Sequence, residues 1–156
     1  MLRNIPFVLD AGPAQEFPLK KLKGLEIISP NETEALFFTG INIYSLKDAE
    51  KAAKIIADKT EAKYVIIKMS AKGALLYTNG KAKYFPGYRV KVIDTTAAGD
   101  AFTAALTFAY LQTDIEKAIN FANIVGALTV TKLGAQNSIP YLNEVENFIK
   151  ERGLKW

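Results

Sequence analysis

The chain has 156 residues, 49% of them hydrophobic and 23% charged, which suits one soluble globular domain with a core of its own. It contains no cysteine and no histidine. Disulfides, thiolate chemistry, a Ser-His-Asp triad and nearly every zinc site are thereby excluded, and any proton transfer falls to Asp, Glu, Lys or Tyr. The net charge of +4 comes from dispersed lysines. Only Lys20, Lys21 and Lys23 cluster, and no aromatics interleave them, so a solvated basic surface is expected and not a nucleic-acid interface. No apolar run reaches the roughly 18–20 residues of a membrane span, and the opening "MLRNIPFVLD" lacks the features of a signal peptide, so a cytoplasmic protein with no membrane partner is expected.

In chain order, "IPFVLD" (5–10) and "LEIISP" (25–30) are short β-rich runs stopped by turn residues. "YVIIKMS" (64–70) is a third, apolar almost throughout, as in a strand covered on both faces. Helical patterns lie between them. "SPNETEALFFTG" opens with Pro and an Asn cap and stops at Gly40; "SLKDAEKAAKIIADKT" has a Ser cap and an acidic first turn. Strands alternating with helices predict βαβ units and a mostly parallel sheet. Asn79-Gly80 within "ALLYTNGKAKYF" predicts a hairpin, and "GYRVKVID" (87–94) predicts one further strand. The remainder is expected to be helical over 101–111, over 115–134 to Gly134, and over 143–153 to Gly153. A sheet of three or four strands would leave an apolar edge uncovered.

The most informative stretch is "DTTAAGD" (94–100), ahead of the apolar "AFTAALTFAYL". A small-residue turn entering a helix aims unpaired backbone N–H groups and the positive end of the helix dipole at one point, which suits an anion. Ala97, Ala98 and Gly99 would let a phosphate approach the backbone closely. Asp100 adds a carboxylate that suits a base facing an attacking hydroxyl, as phosphoryl transfer requires. The competing interpretation is a helix-capping carboxylate beside tightly packed alanines.

"DTTAAGDAF" resembles the second signature of the ribokinase-like (PfkB) sugar kinases. The paired alanines bring it nearer to ribokinases than to fructokinases or adenosine kinases. "VLDAGPAQ", "SPNETEALFFTGI", "PGYRVKVIDTTAAGDAF" and "FANIVGALTVTKLGAQNSIP" agree in order and spacing, so the resemblance spans essentially the whole chain. It implies a ribokinase-like α/β three-layer sandwich with a mostly parallel central sheet. Residues 1–156 would form a single domain, the C-terminal, ATP-binding half of that fold, without its N-terminal strands, sugar site and lid.

The resemblance further implies that Asp100 is the catalytic base and that Ala97, Ala98 and Gly99 supply the anion hole. Asn31 and Glu34 would organise Mg2+ and the phosphates of ATP, although their spacing is also that of a capping box. Lys68, Ser70 and Gly73 fall in the segment resembling the nucleotide loop, and Asn123 matches a position lining the adenine pocket. Ser70 stands where a glycine is usual, so a positive φ there would bring strain. "DAGPA" has Ala11-Gly12 in place of the usual Pro-Ala, a change expected to be structural only. Asp94, Thr96, Thr129, Lys132, Gly134 and Ser138 match positions around a monovalent cation such as K+, held largely by carbonyl oxygens. The implied reaction is phosphoryl transfer from ATP to the D-ribose 5-hydroxyl. The alternative is a non-catalytic nucleotide-binding α/β module that self-associates or pairs with a complementary half.

Overall fold

The computed structural model describes residues 5–14 and 18–154. Its element order is β1 (Val8–Asp10), β2 (Ile27–Ser29), α1 (Glu32–Thr39), α2 (Leu46–Thr60), β3 (Tyr64–Lys68), β4 (Gly73–Thr78), β5 (Lys81–Pro86), α3 (Ala98–Tyr110), α4 (Ile115–Thr129) and α5 (Leu142–Glu151). The chain divides into two compact units. One runs through Ser70 and takes in Ala74–Phe85; the other comprises Ala71–Gly73 and the residues from Pro86 onward.

The first unit is built on a mixed sheet of order β1-β2-β3-β4-β5. β1, β2 and β3 are parallel, with Leu9 opposite Ile28 and Ile28 opposite Val65, and β4 returns antiparallel to β3. The parallel portion arises from the expected alternation of strands and helices. The antiparallel portion is the Asn79-Gly80 hairpin, whose two turn residues have φ of 49° and 73°, as a two-residue turn between right-twisted strands demands. Ile28, Val65, Ile67, Leu75 and Tyr77 face one side of the sheet and pack with Ala35 of α1 and Ala49, Ala52, Ala53 and Ile56 of α2. The α2 set recurs at helical spacing, so one stripe of that helix is buried. By strand alternation Asp10, Ser29 and Lys68 lie on the opposite face.

Both helix starts follow from their caps. Asn31 and Ser45 accept from the backbone N–H groups of Glu34 and Asp48, and α1 stops at Gly40 in the left-handed conformation.

In the second unit α3 and α4 pack through small residues. Gly126 faces the start of α3, where an added Cβ would sit 3.7 Å from the Ala98 carbonyl oxygen. Val145 and Phe148 bury one stripe of α5, and the Phe148 ring meets Tyr88 edge-on at 5.8 Å.

Three expectations are corrected. Residues 87–94 form no strand; the Gly87 N–H donates to the Lys72 carbonyl and the Ile93 N–H to the Val130 carbonyl, so the segment is tied to turns and never enters a ladder. The helix after "DTTA" starts at Ala98, not at residue 101, because Ala97 takes the left-handed conformation and lets the next three residues begin the helix. α4 ends at Thr129, five residues before Gly134, and the Val130 N–H caps back onto the Gly126 carbonyl.

Candidate active site

In the first unit the polar side chains gather where β1, β2 and β3 end, the edge at which open α/β sheets bind ligands. Lys68, only 8% exposed, donates from Nζ to Asp10 Oδ1 at 2.8 Å. Asn31 lies beside Lys68 in an isolated parallel bridge. It forms a reciprocal cap with Glu34: the Glu34 N–H donates to Asn31 Oδ1, the Asn31 N–H to Glu34 Oε2 and Asn31 Nδ2 to Glu34 Oε1, at 2.8, 2.7 and 2.9 Å. The capping box is thus formed, and it holds a nearly buried carboxylate at the head of α1. Gly12 makes room for it, since a Cβ there would approach Glu34 Oε1 to 2.8 Å. The Ala11-Gly12 departure therefore abuts a candidate site residue. Ser70 has φ 51°, the positive value at which a serine is strained, and its hydroxyl donates to Glu32 Oε2 at 3.0 Å.

In the second unit Asp94 organises the turn into α3. Its Oδ1 accepts from the Thr96 N–H and Oγ1, at 2.9 and 2.7 Å, and its Oδ2 from the Gly134 N–H at 2.9 Å. The Thr96 hydroxyl above all, then the two backbone N–H groups, hold the Asp94 carboxyl below its ordinary range. Gly134, at φ 93°, adopts a conformation that a side chain would oppose. Ala97 is left-handed at φ 60° and donates no side-chain cap, so the N–H groups at the head of α3 lack a side-chain acceptor from it. Asp100 sits in that first turn and is exposed.

The other predicted residues divide. Asp94, Thr96 and Gly134 come together. The Thr129 hydroxyl is spent on the Val125 carbonyl, that of Ser138 on the Ala135 carbonyl, and Lys132 on Glu144 at 2.6 Å. Lys132 in turn pulls the Glu144 carboxyl below its usual range, helped by the Tyr141 N–H. Any cation role at these three positions falls to their carbonyl oxygens. Asn123, 7% exposed, directs Nδ2 to the Pro86 carbonyl at 3.4 Å. Gly73 opens β4 with φ 101°. Its backbone lies against Gly87: a Cβ on Gly87 would stand 3.0 Å from the Gly73 nitrogen and 2.5 Å from the Ala71 carbonyl oxygen.

The sequence did not single out Asp10, which pairs with the predicted site residue Lys68. The available signal was that "VLD", "IIS" and "IIK" each close an apolar strand with a polar residue. Among the described residues no three His, Cys, Asp or Glu side chains cluster as a metal cage, and no helix is long and apolar enough to cross a membrane.

A mixed α/β sheet with polar groups at the ends of its parallel strands, and a helix entered through a left-handed small-residue turn, define an α/β protein with features suited to anions. The chain belongs to the pfkB family of carbohydrate kinases, whose family model matches residues 4–142. It is 39% identical over 148 residues to a ribokinase of Haemophilus influenzae, an alignment covering 94% of this chain and 48% of that protein. Among solved structures, a Thermotoga maritima ribokinase matches with a TM-score of 0.85 and 37% identity over 96% of this chain and 50% of its own. An Arabidopsis thaliana ribokinase, solved with ribose and ATP, matches with a TM-score of 0.85 and 31% identity over 94% of this chain and 48% of its own. The chain spans about half the length of the curated relatives it matches.

Proposed function

We propose that this chain carries the ATP-binding and phosphoryl-transfer part of a ribokinase-type kinase that acts on the D-ribose 5-hydroxyl. The observation that carries this reading is the turn at 94–100. Asp94 is locked by three hydrogen bonds, Ala97 is left-handed, and Asp100 is exposed in the first turn of a helix. In the proposed reaction a sugar hydroxyl attacks the γ-phosphorus of ATP, the bond to the ADP oxygen breaks, and Asp100 takes the hydroxyl proton. The backbone at Ala97, Ala98 and Gly99 stabilises the charge on the transferring group.

The donor chemistry fits hard cations. Glu34 is a nearly buried carboxylate that accepts hydrogen bonds from the Asn31 N–H and Nδ2, a charge that suits Mg2+ organisation beside it. Mg2+ would neutralise phosphate charge. The Asp94 carboxylate and the carbonyls of the irregular 130–138 loop are oxygen donors of the type that K+ accepts; Asn123, Lys68, Ser70 and Gly73 are assigned to nucleotide contacts.

A second feature bears on partners. β5, one edge of the sheet, is exposed and carries Lys81 and Lys83, the usual protection against strand pairing. β1, the other edge, carries no lysine, and Ile5 and Phe7 just before it are 78% and 57% exposed. This contrast favours completion of the sheet at β1, by a complementary half or a second copy.

The test is ADP formation by the purified chain with ATP, Mg2+ and K+, with and without D-ribose, using Asp100→Asn as control. Ribose-dependent turnover abolished by Asp100→Asn supports the kinase reading. A folded chain that binds ATP without ribose-dependent turnover supports the non-catalytic nucleotide-binding module instead.

A further inference from the structure

The segment from Gly87 to Asp94 belongs to no strand, so its place depends on separate ties. The Gly87 N–H donates to the Lys72 carbonyl at 3.0 Å, and the Ile93 N–H to the Val130 carbonyl at 2.8 Å. A third tie comes from the end of α5. Arg152 donates from Nη2 to the Arg89 carbonyl at 3.2 Å. Its guanidinium carbon also stands over the Phe148 ring, 4.3 Å from the centroid, and that ring meets Tyr88 edge-on. Phe148 and Arg152 are four positions apart, on one side of the last helical turn, and the Arg152 N–H closes that turn on the Phe148 carbonyl. The first turn of α5 is anchored too, because Glu144 accepts from Lys132 and from the Tyr141 N–H. The helix is therefore held at both ends, to residue 132 and to residues 88–89.

We propose that Arg152, acting with Phe148, is a positioning residue for nucleotide: α5 sets where the 71–73 turn stands, and with it the Gly73 backbone assigned to ATP. This rests on the reading of the chain as nucleotide-binding and adds a determinant of affinity at the end of the last helix. Transmission is by backbone contact. Gly87 runs so close to the turn that a Cβ would stand 2.5 Å from the Ala71 carbonyl oxygen, so it has no side chain to absorb a shift. Only Tyr88 separates Gly87 from Arg89, and close-packed structure passes displacement on. Ala71–Gly73 and all the residues from Pro86 onward belong to one compact unit. Stacking on a ring while donating to a carbonyl suits the planar guanidinium of arginine better than an ammonium.

A purely structural clamp would stabilise α5 and leave nucleotide affinity alone. The two are told apart by calorimetric titration of ATP into the 156-residue chain, well below its melting temperature, together with NMR hydrogen exchange at two amides. The Gly87 N–H reports the tie to Lys72, and the Ala118 N–H, bonded to the Asp114 carbonyl at the start of α4, reports general loosening of the same unit. Arg152 is exposed, so Arg152→Met should fold. It should weaken ATP binding about threefold, on the scale of one exposed cation–π contact, and speed exchange at Gly87 while Ala118 keeps the parent rate. Arg152→Lys, which can retain the carbonyl bond, should fall between Arg152→Met and the parent. Phe148→Leu removes the ring from both contacts and should exceed Arg152→Met in ATP affinity lost.

ATP affinity equal to the parent's in Arg152→Met and Phe148→Leu overturns the proposal, whatever happens to stability. So does exchange that speeds by the same factor at Gly87 and Ala118. If either result appears while the parent chain binds ATP, the nucleotide-binding reading stands by itself. A parent chain that binds no ATP removes that reading, and the positioning role with it.

Discussion

The Asp94 carboxylate accepts a hydrogen bond from the backbone N–H of Gly134, forty residues further on, at 2.9 Å. One side chain thereby fixes the turn that enters α3 and the loop that leaves α4. The same carboxylate also accepts both donors of Thr96, so it sets the turn geometry and its anchorage together. Asp94→Asn keeps the shape but offers an amide N–H₂ where an acceptor is needed. We expect it to lower the melting temperature and to speed proteolysis within 130–138, with limited digestion as the measurement. Thr96→Val should reproduce part of the effect, because the Gly134 bond remains.

A pH dependence follows from the same contacts. Hydrogen bonding to Thr96 lowers Asp94 from its ordinary 3.8, and Lys132 lowers Glu144 from 4.5. A carboxylate depressed in the folded state stabilises the fold above its unfolded value and ceases to do so as pH falls through the folded one. Stability from both groups is thus fully present above about pH 5 and is lost below about pH 4, in the range set by ordinary carboxylate values. Both are solvent-accessible, so the loss should shrink in high salt. Carboxyl-carbon NMR titration checks it: Asp94 and Glu144 should titrate later on acidification than exposed carboxylates whose folded values are ordinary.

The starts of α1 and α2 and the hairpin were legible because they depend on residues a few positions apart. Asn31 with Glu34, Ser45 with Asp48, and Asn79 with Gly80 are each complete local instructions. The segment 87–94 was misread for the opposite reason. Its apolar residues suit a strand, but a strand exists only where a neighbour offers a ladder, and here the backbone bonds go to Lys72 and Val130. The anion turn was legible as composition, since small residues before an acid mark close approach. The Asp10–Lys68 pair, 58 residues apart, and the Asp94–Gly134 tie, 40 apart, were not. Nothing local in "VLD" or "IIK" states that their polar ends meet across β2.

Gly87 is required by contact and not by φ. A Cβ there would meet the Ala71 carbonyl oxygen at 2.5 Å and the Gly73 nitrogen at 3.0 Å, both rigid backbone atoms. Gly87→Ala must displace the 71–73 turn and break the bond from the Gly87 N–H to the Lys72 carbonyl. Overpacking of this kind costs about 1–3 kcal/mol. Urea denaturation should show a lower midpoint with an unchanged slope. Calorimetry should show weaker ATP binding, because the displaced turn includes Gly73.

Ser70 offers the converse experiment. Its φ of 51° costs a non-glycine residue about 1–2 kcal/mol, while its exposed bond to Glu32 returns about 1 kcal/mol or less. Ser70→Ala keeps the strain and loses the bond, so it should destabilise. Ser70→Gly loses the bond but removes the strain, and should match or exceed the parent in thermal melting. If this loop also approaches nucleotide, Ser70→Gly should raise ATP affinity where Ser70→Ala does not. Equal affinity in all three would mean that position 70 affects only the local backbone.

Glu34 separates capping from cation organisation. Asn31→Ala removes both Asn31 side-chain contacts, one of which is the cap on the Glu34 N–H, and should cost about 1 kcal/mol, typical for an N-cap. Glu34→Gln retains the size and one carbonyl acceptor for the Asn31 N–H, so α1 should stay capped, with circular dichroism near that of the parent. It removes the negative charge. If that charge serves only the cap, ATP affinity will be the same in Glu34→Gln and parent at every magnesium concentration. If it organises magnesium beside the phosphates, the variant should bind magnesium-free ATP at least as well as the parent, because a repulsive charge is gone, yet gain much less when magnesium is added. Calorimetric titrations with and without magnesium therefore distinguish two roles that the hydrogen bonds of Asn31 and Glu34 satisfy equally well.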